Sequence, residues 1–446
     1  MLITNGQVAL PDGVFAPVDI RVQDGRIAEI GAGLSRDGPV LDAKGLYVLP
    51  GGIDPHVHFD DPGYTHREDF YHGSCAAASG GITTVIDMPC TSVPPVTNKR
   101  NLARKLRAIE KKAVVDYGLY GGISAQSLQE GGSRYITELA DSVMGFKTYF
   151  VSGMESFGRV NHYQFKRILE ITRDLGLPVL LHAEDYDFVT AATAICSQEG
   201  SDPLHYYRSR PETAETLAVL AAVALAEETG ADLHIVHVGT AVAAQVLARS
   251  KVTGETGPHY LAFTLSDFCR IGSPLKVTPP IKSSENRGGL WKHLIDGTID
   301  FAASDHAPSP AHEKATGSIW SDYGGIPGTG TLLPYLFSEG YVKRKLSLRR
   351  LLEVTAESAA KRYGLDDRKG AIAVGKDADL ALIDPRQEWQ VEGDKFLSKG
   401  KITPFEGMAL KGRVVKTVLR GRVTYDVDKG IIAPAGYGQW LLPGDR

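Results

Sequence analysis

The feature that most constrains this chain is a rhythm. From about residue 50 to residue 306, short apolar segments of strand length alternate with stretches of helical composition. Strands separated by helical crossovers pair in parallel, with helices covering the faces of the sheet. Eight strand candidates stand out: 52–58, 83–88, 116–121, 144–150, 178–184, 233–239, 252–257 and 299–306. The seventh is the weakest, being short and rich in Gly and Thr. Helical stretches fall between most of them, the clearest at 213–228, rich in Ala, Leu and Glu. Eight such units predict an α/β fold, a closed (β/α)8 TIM barrel with its site at the C-terminal strand ends. A doubly wound open sheet is the alternative, but it would not converge polar residues from strands so far apart in order.

The flanks differ. Residues 1–49 read as short strands broken by tight turns at Asp12-Gly13 and Asp24-Gly25. A closing helix is expected at 346–363, and short strands return at 370–384 and 412–425. At 446 residues the chain is long for one domain. The expected division is a barrel of 50–365 and a small β-sandwich built from 1–49 and 366–446. Apolar residues make up 43%, enough for a large core, and a net charge of −4 gives no electrostatic case for a nucleic-acid partner. The four cysteines (Cys75, Cys90, Cys196, Cys269) form no CxxC pair, against a disulfide framework or a cysteine zinc site. No apolar run approaches a membrane span, and the start lacks a basic segment leading into an apolar one, so a cytoplasmic protein is expected.

Chemistry gathers at the strand ends. The first strand closes on Asp54-Pro55-His56-Val57-His58, and side chains two apart on a strand point the same way. His56 and His58 therefore aim two imidazoles at one point, which suits a divalent metal. Strand five ends at His182 and strand six at His237, with His234 expected on the opposite side of strand six. Strand eight ends at Asp305, a carboxylate able to bind a metal and to take a proton from bound water. Strand four carries Lys147 inside an apolar run. Taken alone, Lys147 reads as a lysine whose stem packs while its ammonium reaches solvent. The alternative is a buried lysine carboxylated by carbon dioxide, a reaction that needs the neutral amine that desolvation favours.

Together these residues describe a two-metal site. A carboxylated Lys147 would bridge two ions, with His56, His58 and Asp305 on one and His182 and His237 on the other. Two ions acidify a shared hydroxide's parent water and polarise a carbonyl. Asp305 would accept the proton and return it to the leaving nitrogen. Zinc suits imidazole and carboxylate ligands best, with manganese, cobalt and iron as alternatives.

The ordered set His-x-His, Lys, His, His, Asp resembles the cyclic amidohydrolases of the dihydroorotase, allantoinase and hydantoinase group, over nearly the whole length. The resemblance implies a binuclear metal site, a carboxylated Lys147, hydrolysis of a small cyclic amide or ureide, and a homo-oligomer, dimer or tetramer. Dihydroorotases carry Arg two residues after the second histidine and Asn after the strand-two Met-Pro, where this chain has Asp60 and Cys90. Arg67 is the arginine that could stand in. Hydantoinases share the Asp at Asp60 but have Gln in place of His259. The stretches 87–95 (Asp-Met-Pro-Cys-Thr-Ser-Val-Pro-Pro) and 256–261 (Thr-Gly-Pro-His-Tyr-Leu), and the run from Pro279-Pro280-Ile281-Lys282 through Asp300 to Asp305, are similar to the allantoinase pattern. Candidate substrate contacts are Asp60, Cys90, Thr278, Gly325 and Gly328. The last two lie in a Gly324-to-Gly328 loop that equally reads as a plain glycine turn. Cys90 and His259 either line the pocket or merely pack. Competing classes are a structural relative that has lost catalysis, which filled ligand positions argue against, and a one-metal deaminase, which would have little use for Lys147.

Overall fold

The computed structural model of the chain describes residues 1–344 and 346–444. All eight expected strands form: Gly52–Val57, Ile82–Asp87, Asp116–Leu119, Phe146–Tyr149, Val179–His182, Leu233–Ile235, Thr253–Thr256 and Phe301–Ala302. The third resumes after Tyr120 as Gly121–Gly122, so its first part pairs with strand two and its second with strand four. Every neighbouring pair is parallel. The ring closes where Val57 bridges His306 and the His58 N–H donates to the His306 carbonyl at 2.7 Å. The result is a (β/α)8 barrel and not an open sheet.

Alternation along the strands fills its interior. Ile53, Ile86, Tyr120, Leu180, Val236 and Phe301 meet in one buried cluster, joined by Ala359, Ala360 and Tyr363 of the closing helical segment. The outward residues Val57, Val85, Phe146, Leu181 and Ile235 belong to the larger core under the helices. Helix ends follow local chemistry. Glu212–Thr229, expected at 213–228, stops at Gly230, whose φ of 70° is the left-handed conformation that glycine adopts cheaply. Helix His162–Leu175 starts at a reciprocal cap between Asn161 and Gln164. No helix among the described residues is long and apolar enough to cross a membrane.

The chain ends build two further sheets. One, of four strands, comes from the N-terminal segment; the other, of seven, interleaves Gln7–Ala9, Phe15–Ala16 and Tyr47–Pro50 with C-terminal strands including Leu380–Gln390 and Ala409–Leu419. Between them lie Ile3, Ile20, Val48, Leu380, Leu382 and Val418, all buried. The two sheets thus share a core of their own; Asp445 and Arg446, which the expected 366–446 segment includes, lie outside the described residues. The sheets are fastened to the barrel by charge. The Lys369 ammonium lies 2.6 Å from Asp116 on strand three, 3.0 Å from Asp377 and 2.7 Å from Asp379, and Arg420 also pairs with Asp116.

Candidate metal centre and active site

At the C-terminal mouth of the barrel, His56 and His58 behave as strand alternation requires. Their Nε2 atoms lie 3.1 and 3.2 Å from the same Asp305 oxygen. Ligand atoms of the three residues fall within 4.8 Å of one another, compatible with one cation. His56 Nδ1 stands 2.5 Å from Glu255 on strand seven. A carboxylate can only accept, so Nδ1 carries the proton and Nε2 keeps its lone pair for a metal. Glu255 also meets His234 Nε2 at 3.4 Å. Burial pushes the Glu255 carboxyl up, but His56 and His234 outweigh it and hold it at about 2.

His182 and His237 form the second half. His182 Nε2 donates to Glu184 at 2.9 Å, and Glu184 pairs with Arg210 at 2.5 Å. Burial raises the Glu184 carboxyl, yet Arg210 and His182 bring it to about 2. The remaining lone pair of His182, on Nδ1, faces His237 Nε2 at 2.9 Å. Two ring nitrogens aimed at one point need a shared proton or a cation between them. The alternation rule put His234 and His237 on opposite sides of strand six; the structure corrects this. The strand ends at Ile235, and His237 at φ 41° has left extended geometry, so it turns inward as His234 does. Asp305, at φ 49°, is likewise in the left-handed region that non-glycine residues seldom enter. Such backbone cost collects at functional sites.

Lys147 does not reach solvent. It is fully buried, its Nζ has no hydrogen-bond partner, and it sits 4.8 Å from the centre of the Tyr149 ring. Burial lowers its ammonium to about 8, although Cys90, Asp305 and Glu255 pull the other way. An uncompensated buried ammonium is costly. A carboxylated side chain bridging two cations at this position would remove that cost, so the residues present fit a binuclear centre.

The cavity above has a volume of about 700 Å³, and its wall includes His56, His58, Cys90, Thr278, Asp305 and Gly325. Cys90 lines it, with Sγ 3.0 Å from the Tyr149 hydroxyl and 3.8 Å from His58 Nδ1. Thr278 meets the Tyr206 hydroxyl at 2.7 Å. Gly325, at φ 152°, could not carry a side chain, because a Cβ would stand 2.4 Å from the Ala307 carbonyl. Two expected contacts lie elsewhere. Asp60 is buried behind the wall, where burial raises its carboxyl to about 8. Gly328 lines a separate cavity at the β-sandwich and donates its N–H to His306 at 3.1 Å. His259 packs on Tyr260 and does not line the cavity. Arg67 does line it, but Glu313 holds its guanidinium at 2.7 Å between the Tyr64 and Tyr323 rings.

The Amidohydrolase family model matches residues 47–424, most of the chain. The chain belongs to the amidohydrolase family. It is 39% identical over 444 residues to an allantoinase of Rubrobacter xylanophilus, covering 98% of this chain and 96% of that one. It is 36% identical over 455 residues to an allantoinase of Escherichia coli, covering 99% and 98%. Among solved structures, the L-hydantoinase (dihydropyrimidinase) from Arthrobacter aurescens superposes with a TM-score of 0.93 at 33% identity over 99% of each chain. The D-hydantoinase from Thermus sp. gives 0.91 at 27% identity, again over 99% of each. Membership in this family makes the barrel-mouth cluster the candidate site, and it directs attention to residues that strand-end reasoning passed over. Glu255 is a carboxylate inside a short barrel strand, the same anomaly that singles out Lys147. Glu184 and Tyr149 each lie two residues beyond a candidate ligand, and on a strand that spacing means the same face. Arg210 carries no such local signal.

Proposed function

We propose that this amidohydrolase opens the ring of a cyclic ureide, with allantoin as its first substrate. The observation that carries this is the convergence of His56, His58, His182, His237 and Asp305 on one cavity beside a buried, unpartnered Lys147. Full-length kinship to proteins named allantoinase supports the choice of ring. In this reading His56, His58 and Asp305 would hold one divalent cation, His182 and His237 would hold another, and a carboxylated Lys147 would serve both. Zinc is the metal of choice. When bound, the metal pair supplies carbonyl polarisation and an acidified water.

The protein's own groups do the rest. Glu255 and Glu184 fix the tautomers of His56 and His182. Asp305 takes the proton from the attacking water at its carboxylate and passes it to the ring nitrogen as the amide C–N bond breaks, so the products are a carboxylate and a freed ureide N–H. Thr278 and the backbone around Gly325 orient the ring, and Cys90 flanks it. Asp60 and Gly328 enter only as supports of the wall. The barrel, 50–365, carries the chemistry, and the segments 1–49 and 366–446 brace it. The proposal includes a dimer or tetramer, read by sedimentation, and a cytoplasmic location, read by cell fractionation.

The test is ring opening of allantoin, dihydroorotate, hydantoin and dihydrouracil by metal-loaded enzyme, side by side. Preference for allantoin is expected. A second reading, a hydantoinase or dihydropyrimidinase, is favoured by the close superposition on the Arthrobacter enzyme, and preference for the unsubstituted rings would select it. Turnover of dihydroorotate above all others would reject both.

A further inference from the structure

Three cationic side chains other than histidines line the catalytic cavity: Arg67, Arg210 and Lys276. Two are already paired, Arg67 with Glu313 and Arg210 with Glu184. Among the described residues no carboxylate forms an ion pair with Lys276. Its ammonium is buried, donates to the Asp322 backbone carbonyl at 2.5 Å, and lies 4.9 Å from the centre of the Tyr206 ring. The nearby Asp322 carboxylate is occupied by Ser273 and by the Thr316 N–H and hydroxyl. An ammonium offers three donors, and among the described residues one of them is hydrogen-bonded.

Its position is built by the backbone. Lys276 is extended, so Lys276 and Thr278 face the cavity while Val277 between them is buried in the core. The Gly325 N–H donates to the Lys276 carbonyl at 2.9 Å, and Lys314 donates to the same carbonyl at 3.4 Å. The Tyr206 hydroxyl ties in Thr278. A buried cation held in place beside this wall, with spare donors and no carboxylate in close ion pair with it among the described residues, is a receptor for an acceptor oxygen on the bound molecule.

We infer that Lys276 reads a carbonyl or carboxylate oxygen on the substituent that the substrate ring carries, and so selects ureido- or carboxylate-bearing rings over bare ones. This rests on the cyclic-ureide reading and adds to it the residue that discriminates among such rings. Arg67, the arginine that the sequence offers for this task, is already neutralised by Glu313.

The test compares allantoin with hydantoin, the same ring without the ureido group, in the metal-loaded wild type, Lys276→Met and Lys276→Arg. Hydantoin is followed by turnover or as a competitive inhibitor of allantoin opening. Loss of a charged hydrogen bond predicts that Lys276→Met lowers kcat/KM for allantoin by roughly 10- to 100-fold, chiefly through KM. Hydantoin should change by less than about 3-fold, since it has no substituent for Lys276 to read. Lys276→Arg should recover part of the loss. An equal fall on both rings, or no fall on allantoin, overturns the inference and leaves the ring-opening function standing. A wild type that opens neither ring overturns that function and the inference with it.

Discussion

Lys147 and Asp305 show how much hangs on single side chains here. If a carboxylated Lys147 bridges two cations, Lys147→Ala should bind fewer metal ions per chain than the wild type's two and lose ring opening by at least about a thousandfold. Metal analysis beside the assay separates this from simple misfolding, and full metal content with full activity would rule the bridge out. Asp305→Ala should also abolish turnover, because in the proposed mechanism it removes both a ligand and the proton carrier. Glu255→Gln is subtler. Its loss frees the His56 ring to choose the other tautomer, so metal affinity should fall roughly 10- to 100-fold, measured by competition with a chelator. An affinity unchanged from wild type would show that His56 is oriented by packing alone.

Among the elements, helix Phe70–Ser79 follows the catalytic loop of strand one and is started by Asp69. The Asp69 carboxylate accepts the His72 N–H at 2.9 Å and pairs with Lys399 at 2.6 Å. Burial pushes this carboxyl up, but the His72 N–H, Lys399 and the His72 ring bring it down to about 2. A carboxyl depressed in the folded state stabilises the fold above its ordinary range near 4, and that contribution disappears as the pH falls towards 2. Asp69→Ala should therefore cost about 1 kcal/mol at pH 7 in chemical denaturation, and the difference from wild type should shrink near pH 2. Elements were also where sequence reasoning ran most smoothly. The strands and the long helix followed from apolar period and composition, and even the Gly- and Thr-rich seventh strand formed. What it misjudged was strand length at the mouth. Strand six stops at Ile235 and strand eight at Ala302, because His237 and Asp305 take left-handed backbone that no periodicity announces.

For the molecule as a whole, the junction around Lys369 couples the sandwich to the barrel. Lys369→Met would leave Asp116, Asp377 and Asp379 buried without their shared cation, and should destabilise the protein by about 3–5 kcal/mol, read as a lowered denaturation midpoint. Removal of metal by a chelator should lower both activity and thermal midpoint, with recovery on adding zinc, because a ligand bound only by the folded state stabilises it. The sequence by itself determined the strand order, the closed barrel, the two-ended sandwich and which strand-end side chains to propose as metal ligands. These rest on local periodicity and on residue types that have few other uses inside apolar strands. Only the tertiary structure decided which carboxylates orient those candidate ligands, that Lys147 is sealed from solvent, that Gly328 and Asp60 stand off the cavity, and that among the described residues no carboxylate pairs with the cavity-lining Lys276. Those facts depend on atoms brought together from segments tens to hundreds of residues apart, and no local pattern records such meetings.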